Sequence, residues 1–425
     1  MTEAFLQYVW QHKLLRGDLQ TSEGLPVIIE RPGDPNTDAG PDFFNARLQM
    51  GAVRWAGNVE IHVKASDWNQ HRHSFDKKYN SVVLHVVFEH DCNITLENGK
   101  RVATLEIKDH VPMDIWDSYQ QMVNPSHPLD VACLPRLQKV PRFLFDGFLD
   151  RQVIERMERK TYDVKSLLED SRDSWETTCY WLIARYFGGK ANGFAFEMMA
   201  KLTPMKVLAK IKDNPFRVEA LLMGQAGLLE ESFVDEYPLR LQREYTYMRK
   251  AYSLSPMAGH LWKFFRLRPA SFPTLRISQF ADLVCKSNAL FSHLMETTNI
   301  EELRCFFDVS ASDYWTNHYY FDRPSAPLNK AAGQAFADIV LINALAPLLF
   351  EYGVLHGNQD AKDRAIDILR HLPPENNRIT RQWGNDHRPQ NAAQSQALIQ
   401  LYNEHCTQKN CLRCAIGYHA LKPET

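Results

Sequence analysis

The sequence predicts an α+β fold, in which an N-terminal mixed α/β sheet domain is followed by a large helical region. Between residues 25 and 108, short runs rich in β-branched residues alternate with turn residues, as half-buried strands do. From residue 143 to the end, apolar residues recur at helical spacing instead. Because a chain of 425 residues exceeds the roughly 100–200 residues of a common domain, we expect a sheet domain over 1–130 and an all-helical region over 141–425, with room for two subdomains.

The sheet domain is predicted to open with an amphipathic helix and to contain five strands. Glu3 precedes the apolar residues of the first segment, and no basic stretch with a cleavage site follows, so this segment is not a signal peptide. Gly51 separates the second strand from the third, and Asn98-Gly99 is typical of a hairpin turn. The predicted strands are 26–30, 46–50, 59–64, 82–88 and 102–107.

A proline-rich loop over residues 125–141 is the predicted boundary between the two regions. Within the helical region the most apolar window is Phe336–Tyr352. It carries Asp338 and Pro347 and falls short of the roughly 20 apolar residues that a spanning helix needs. We therefore expect a buried core helix and no membrane partner.

The bulk composition is that of an ordinary globular protein. Hydrophobic residues at 44% and charged residues at 24% argue against long disorder. The net charge of -2 gives no global attraction to polyanions, so a nucleic-acid site has to be a local patch. Eight cysteines in a chain without an export signal are expected to be reduced thiols in the cytoplasm. The sequence contains no phosphate-binding glycine loop, nucleophile elbow or His-Glu-x-x-His motif.

A constellation of polar residues follows Pro41 in the sheet domain. Asp42 enters one strand, and Glu60, His62 and Lys64 alternate along the next, so the hairpin should bring Asp42 beside Glu60. Two carboxylates are hard ligands that suit Mg²⁺ or Mn²⁺. His62 or Lys64 could then assist a water molecule in attacking a phosphodiester. The alternative is the polar face of a half-buried sheet with no chemistry.

This arrangement resembles the PD-(D/E)XK nuclease superfamily, whose signature is Pro-Asp, a hairpin and Glu-x-Lys. The resemblance implies a restriction-endonuclease-like fold and assigns metal binding to Asp42 and Glu60. The sequence departs from the signature because His62 occupies the lysine position and the lysine lies two residues later, at Lys64. Glu3 could join the site, as first-helix acids do in some relatives.

Histidines are frequent in the same domain, which leaves a second metal chemistry open. Six of them are His62, His71, His73, His85, His90 and His110. A transition metal held by Asp42, Glu60, His62 and His85 is therefore an alternative to Mg²⁺. For His85 itself, a satisfied core residue within an apolar strand is the competing interpretation.

Basic and aromatic residues are interleaved between Arg240 and Arg268. Cations neutralise phosphates and flat rings stack on bases, so the stretch is predicted to bind DNA or RNA. The alternative is that the aromatic residues are buried and the cations are merely solvated. The predicted nucleic-acid contacts are Arg249, Lys250, Lys263, Arg266 and Arg268.

Cys406, Cys411 and Cys414 form a cluster near the C-terminus. With His405 or His419 they could bind zinc. The helix that leads into them also resembles the iron–sulfur loop of endonuclease III-type DNA glycosylases, although the fourth cysteine of that loop is missing here. Free or redox-active thiols are the alternative.

Several segments together resemble an uncharacterised bacterial family, domain of unknown function 2851. They are Gly40–Phe43, Gly57–His62, Ser66–Trp68, Arg268–Pro273 and Cys411–Gly417. This resemblance implies a cytoplasmic bacterial protein but no activity. Three functions stay open: a metal-dependent nuclease or nuclease-derived enzyme, a non-catalytic nucleic-acid-binding or scaffold protein with a decayed site, and a transition-metal enzyme on another substrate.

Overall fold

The structure is a computed structural model that describes residues 1–36, 38–124, 131–286, 289–327, 329–384 and 386–422. Two compact units are present: Met1–Phe148 together with Leu401–Thr425, and Leu149–Gln400. The predicted ranges, 1–130 and 141–425, divide the chain differently, since the C-terminal residues group with the sheet. Part of the predicted boundary loop, 125–130, lies outside the described residues.

The first unit is built on a mixed sheet, which confirms the predicted α+β class. In the described part of the chain its order is β1-β2-β4-β5-β6-β7, with β3 paired to β4. Neighbours from β1 to β5 are antiparallel, whereas β5, β6 and β7 run parallel. The strands are β1 Leu19–Gln20, β2 Pro26–Arg31, β3 Asp34–Pro35, β4 Phe43–Met50, β5 Val53–Lys64, β6 Val82–Glu89 and β7 Ala103–Glu106.

The hairpin between β4 and β5 turns where the sequence predicted. Gly51 has a φ of +60°, a left-handed conformation that glycine adopts without a steric penalty. Both strands are longer than predicted. β4 begins earlier, at the buried Phe43, whereas the added start of β5 contains the exposed Val53 and Trp55 and therefore lacks an alternating buried face. Further along β5, a Cβ on Gly57 would lie 2.3 Å from Val83 Cγ1, so the close approach of β6 requires glycine there.

The first helix, α1, spans Glu3–Gln11 and buries its apolar face against β5. This confirms the predicted amphipathic helix. Trp10 is fully buried, and its indole N–H donates to the carbonyl of Pro32 at 2.9 Å. The other helices of this unit are α2 Asp67–Gln70, α3 Met113–Val123 and α18 Ala415–Leu421, with the start of α4 Arg142–Asp170.

The second unit is mostly helical. Its helices after α4 are α5 Trp175–Phe187, α6 Gly189–Leu202, α7 Met205–Ile211, α8 Pro215–Gln225, α9 Glu236–Tyr252, α10 Pro273–Lys286, α11 Leu290–Glu296, α12 Ile300–Phe306, α13 Gln334–Val340, α14 Ala346–Leu355, α15 Gln359–His371, α16 Arg378–Arg381 and α17 Ala392–Leu401. The all-helical expectation was wrong in one place, where β8 His318–Tyr320 pairs with β9 Arg323–Pro324. Asp322 makes this tight turn possible, with a φ of +58° and a carboxylate that accepts the backbone N–H groups of Val234 and Asp235.

The apolar window is a core helix, as predicted. A π-helical turn joins α13 to α14, giving a helix over Gln334–Leu355 that is long and apolar enough by composition to cross a membrane. However, 72% of its most apolar window is buried inside the protein. Burial of that kind is typical of a central helix covered by its neighbours.

Candidate metal centre

The hairpin places Asp42 and Glu60 side by side, as the sequence predicted. The backbone N–H of Asp42 donates to Glu60 Oε2 at 3.0 Å, and the N–H of Ile61 donates to Asp42 Oδ2 at 2.9 Å. Gln7 of α1 donates its side-chain amide to Asp42 Oδ1 at 2.9 Å. Glu3 is within reach of the same amide, at 3.5 Å. Asp42 therefore accepts from a backbone and a side-chain donor, and Glu60 accepts from a backbone donor.

Two histidines contact the other oxygen of Glu60, and a third contacts one of these two. Glu60 Oε1 lies 3.6 Å from His62 Nε2 and 3.2 Å from His73 Nε2. His71 Nδ1 lies 3.2 Å from His62 Nε2. The three imidazoles place ligand atoms within 4.8 Å of one another. We call Glu60, His62, His71 and His73 the histidine–glutamate cluster.

A turn in the crossover from β5 to β6 directs two of these imidazoles to one place. His71 ends α2, and His73 begins a 3₁₀ turn. Between them, Arg72 adopts a φ of +60°, which is uncommon for a residue other than glycine. This reversal lets His73 approach Glu60 while His71 approaches His62.

The spacing of the cluster fits a single metal ion. Nitrogen and oxygen ligands at about 2.0–2.1 Å from a tetrahedral ion lie about 3.3–3.4 Å apart. The distances from His62 to His71, and from Glu60 to His62 and to His73, are 3.2–3.6 Å. His73 Nε2 is buried and makes no hydrogen bond, despite its closeness to Glu60. The three imidazole nitrogens are thus close enough to bind one ion, and Glu60 lies against two of these rings.

The electrostatics of the cluster also suit a cation. Burial, reinforced by neighbouring imidazoles, lowers the pKa of His62 to about 2, so that its ring is neutral and offers a lone pair. Burial raises the pKa of Asp42 to about 7, with Glu60 adding to the effect, and burial likewise raises the pKa of Glu60 to about 8. Among the described residues, the ion-pair partners of Glu60 are histidines. A bound cation would compensate these buried carboxylates.

His85 orients His62 from behind. Its Nε2 lies 2.8 Å from His62 Nδ1, and its ring is fully buried against Trp68. Because Nε2 of His62 faces the cluster, Nδ1 has to carry the proton when a metal is bound and donate it to His85. His85 is thus a positioning residue for His62 and does not belong to the group of clustered ligand atoms.

We expect His85→Phe to weaken metal binding by about 10–100-fold, the usual cost of removing such a partner. Titration calorimetry with Zn²⁺ or Mn²⁺ would measure the change. His85→Gln restores an acceptor near the same position and should recover part of the affinity. A folded His85→Phe protein with wild-type affinity would contradict this role.

The structure does not bring Lys64 to the acids. It lies at the exposed end of β5, where its ammonium is 4.0 Å from Glu89. His110 is also apart, since its Nδ1 bonds the carbonyl of Arg16. The sequence interpretation gave no role to His71 and His73, although their His-x-His spacing, a few residues after a strand, was a usable signal.

The predicted nucleic-acid contacts are all exposed. Arg249 and Lys250 line a groove of about 910 Å³ along α9, and Lys263, Arg266 and Arg268 lie in the following loop. The aromatic residues of this stretch differ in exposure: Tyr245 and Trp262 are buried, whereas Tyr247 and Phe265 are exposed. The structure therefore shows a basic surface on which only part of the aromatic set is available.

The C-terminal thiols lie at successive turns of the first unit. Cys406 ends a π-helical turn, Cys411 begins a 3₁₀ turn and Cys414 precedes α18. All eight cysteines are free thiols. Neither His405 nor His419 joins the three-atom metal group found among the described residues.

Together, fold and site define an α+β protein whose mixed sheet carries a buried histidine–carboxylate cluster. The chain belongs to the family described as Protein of unknown function (DUF2851), which matches residues 3–378. No curated protein and no solved structure matches the chain. The matched segment contains the whole histidine–glutamate cluster and ends before Cys406.

Proposed function

We propose that the sheet unit is a metal-dependent hydrolase that cleaves phosphodiester bonds in nucleic acid. The observation that carries the proposal is that three imidazoles place ligand atoms within 4.8 Å of one another, with two of the three against Glu60. Three nitrogen ligands favour Mn²⁺, Zn²⁺ or a similar transition ion over Mg²⁺, which prefers oxygen. Asp42 is then a supporting residue that fixes Glu60 and Ile61.

A divalent ion at this place would polarise a phosphodiester and make a water molecule acidic enough to deprotonate near neutral pH. The residues of the chain would hold the ion and orient its ligands. Glu60 supplies the compensating charge, and the His62–His85 pair fixes ring orientation. His71 is the exposed member of the cluster, so it marks the side from which a substrate can approach.

Nucleic acid is the proposed substrate because of the order of the elements. The order is a helix, a strand, an antiparallel hairpin and a parallel strand. These elements carry Pro41-Asp42 and then Glu60-x-His62, which is the order of the PD-(D/E)XK signature. Glu3 on α1 faces the same site through Gln7. This resemblance supports phosphodiester hydrolysis over reactions of other substrates.

The test is cleavage of single- and double-stranded DNA and RNA by the purified chain with Mn²⁺, Zn²⁺ or Mg²⁺. We expect cleavage that requires a transition ion and is lost in Glu60→Ala. Glu89→Ala, which removes a half-buried carboxylate at the end of the neighbouring strand, is the matched control and should remain active. No cleavage with any metal would contradict the proposal.

A second candidate is nucleic-acid binding without turnover, favoured by the basic groove on α9. Arg243, Arg249 and Lys250 line it. Binding there should weaken with rising salt, because phosphate contacts release counterions. It should weaken in Arg249→Ala and persist in Glu60→Ala, which separates it from the catalytic proposal.

A further inference from the structure

A fourth cysteine lies beside the three C-terminal ones. Cys133 immediately precedes the 3₁₀ turn Leu134–Lys139, which packs against α18. Burial raises the pKa of the Cys133 thiol well above its usual range, and the nearby thiols of Cys406, Cys414 and Cys411 raise it further. The turn that follows Cys133 packs against the helix that follows Cys414, so these two cysteines, far apart in sequence, lie in neighbouring segments of the first unit.

The cysteines lie on irregular turns of the backbone that approach one another closely. Cys406 is the last residue of the π-helical turn Tyr402–Cys406, and such turns are frequent at functional sites. Burial raises the pKa of the Cys414 thiol, and the backbone N–H groups of Gly417 and Ile416 oppose this rise. A Cβ on Gly417 would lie 2.1 Å from the carbonyl oxygen of Cys411, so the two cysteine-bearing turns approach closely. Cys133, Cys411 and Cys414 are all buried.

We propose that Cys133, Cys406, Cys411 and Cys414 are the four thiolate ligands of one iron–sulfur cluster. Four sulfur ligands select zinc or iron–sulfur centres. Zinc with bonds of about 2.3 Å would draw the sulfurs to about 3.8 Å from one another. Among the described residues, only the histidine group brings three ligand atoms within 4.8 Å. The wider thiol spacing suits a centre of several metal ions.

The site also has a structural consequence for α1. Tyr418 of α18 stacks on His12 with ring centroids 4.1 Å apart and meets Tyr8 edge-on. The same helix α1 presents Gln7 to Asp42. A cluster that fixes the C-terminal turns would hold α1, and through it Asp42, without taking part in hydrolysis.

The experiment is purification of the full chain without oxygen, followed by iron, sulfide and zinc analysis and visible absorption spectroscopy. We expect close to four iron and four sulfide per chain, as in a [4Fe–4S] cluster, and loss of the cluster in Cys133→Ser. Cys305→Ser, which changes an exposed thiol of the other unit, should keep it. Zinc in place of iron, or full iron content in Cys133→Ser, would overturn the assignment.

Thiol alkylation of the wild-type chain provides a test that needs no variant to fold. We expect Cys305 to react at once, whereas Cys406 should react only after a chelator has removed the iron. Mass spectrometry of the labelled peptides gives the readout. Equal labelling of Cys406 with and without the chelator would overturn the proposal.

Discussion

Replacing His71 by alanine is expected to weaken binding of a transition metal by more than about 100-fold. Loss of a supporting partner alone commonly costs about 10–100-fold, and His71 Nδ1 lies among the ligand atoms themselves, 3.2 Å from His62 Nε2. Because His71 is exposed, its removal leaves the core intact. Titration calorimetry would measure the affinity, and circular dichroism would show that the fold is kept.

His260 offers a matched control for that experiment. It is another exposed histidine, located in the helical unit, and His260→Ala should bind metal as the wild type does. If His71→Ala and His260→Ala bind equally well, the three imidazoles do not form one site. The proposed hydrolase would then lose the observation on which it depends.

Glu219→Ala is expected to lower the free energy of unfolding of the helical unit by about 3–5 kcal/mol, since it combines lost buried hydrogen bonds with a cavity. Glu219 of α8 is 3% exposed. Its carboxylate accepts the indole N–H of Trp315 and the hydroxyl of Ser278, each at 2.8 Å. Trp315 is fully buried, so its N–H would have no water to replace the carboxylate. Urea unfolding would measure the change.

The conservative variant Glu219→Gln separates hydrogen bonding from packing. Its amide oxygen can accept from Trp315, and Ser278 can accept from its amide nitrogen. Burial raises the pKa of Glu219, so a neutral side chain is tolerated there. We expect Glu219→Gln to recover most of the lost stability. Equal destabilisation by both substitutions would show that the carboxylate is required for another reason.

The described sheet shows which features can be predicted from local sequence patterns. Alternation of apolar residues located all five main strands, and Gly51 located the hairpin, because both features depend on neighbours in sequence. The adjacency of Asp42 and Glu60 followed from that hairpin. The short strands β1 and β3 were missed, since two residues carry no periodicity. The turn at Asp322 was missed because its hydrogen bonds come from Val234 and Asp235, far away in sequence.

By itself, the sequence determined the two-part α+β organisation, the buried helix around residue 340 and the pairing of the two central carboxylates. Only the tertiary structure decided which side chains lie together at the candidate sites. The left-handed turn at Arg72 brings His73 to Glu60 and His71 to His62. The turn that follows Cys133 packs against α18, next to the C-terminal cysteines. Spacing along a strand is periodic and local, whereas the path of a loop and the meeting of distant segments depend on how the whole unit packs.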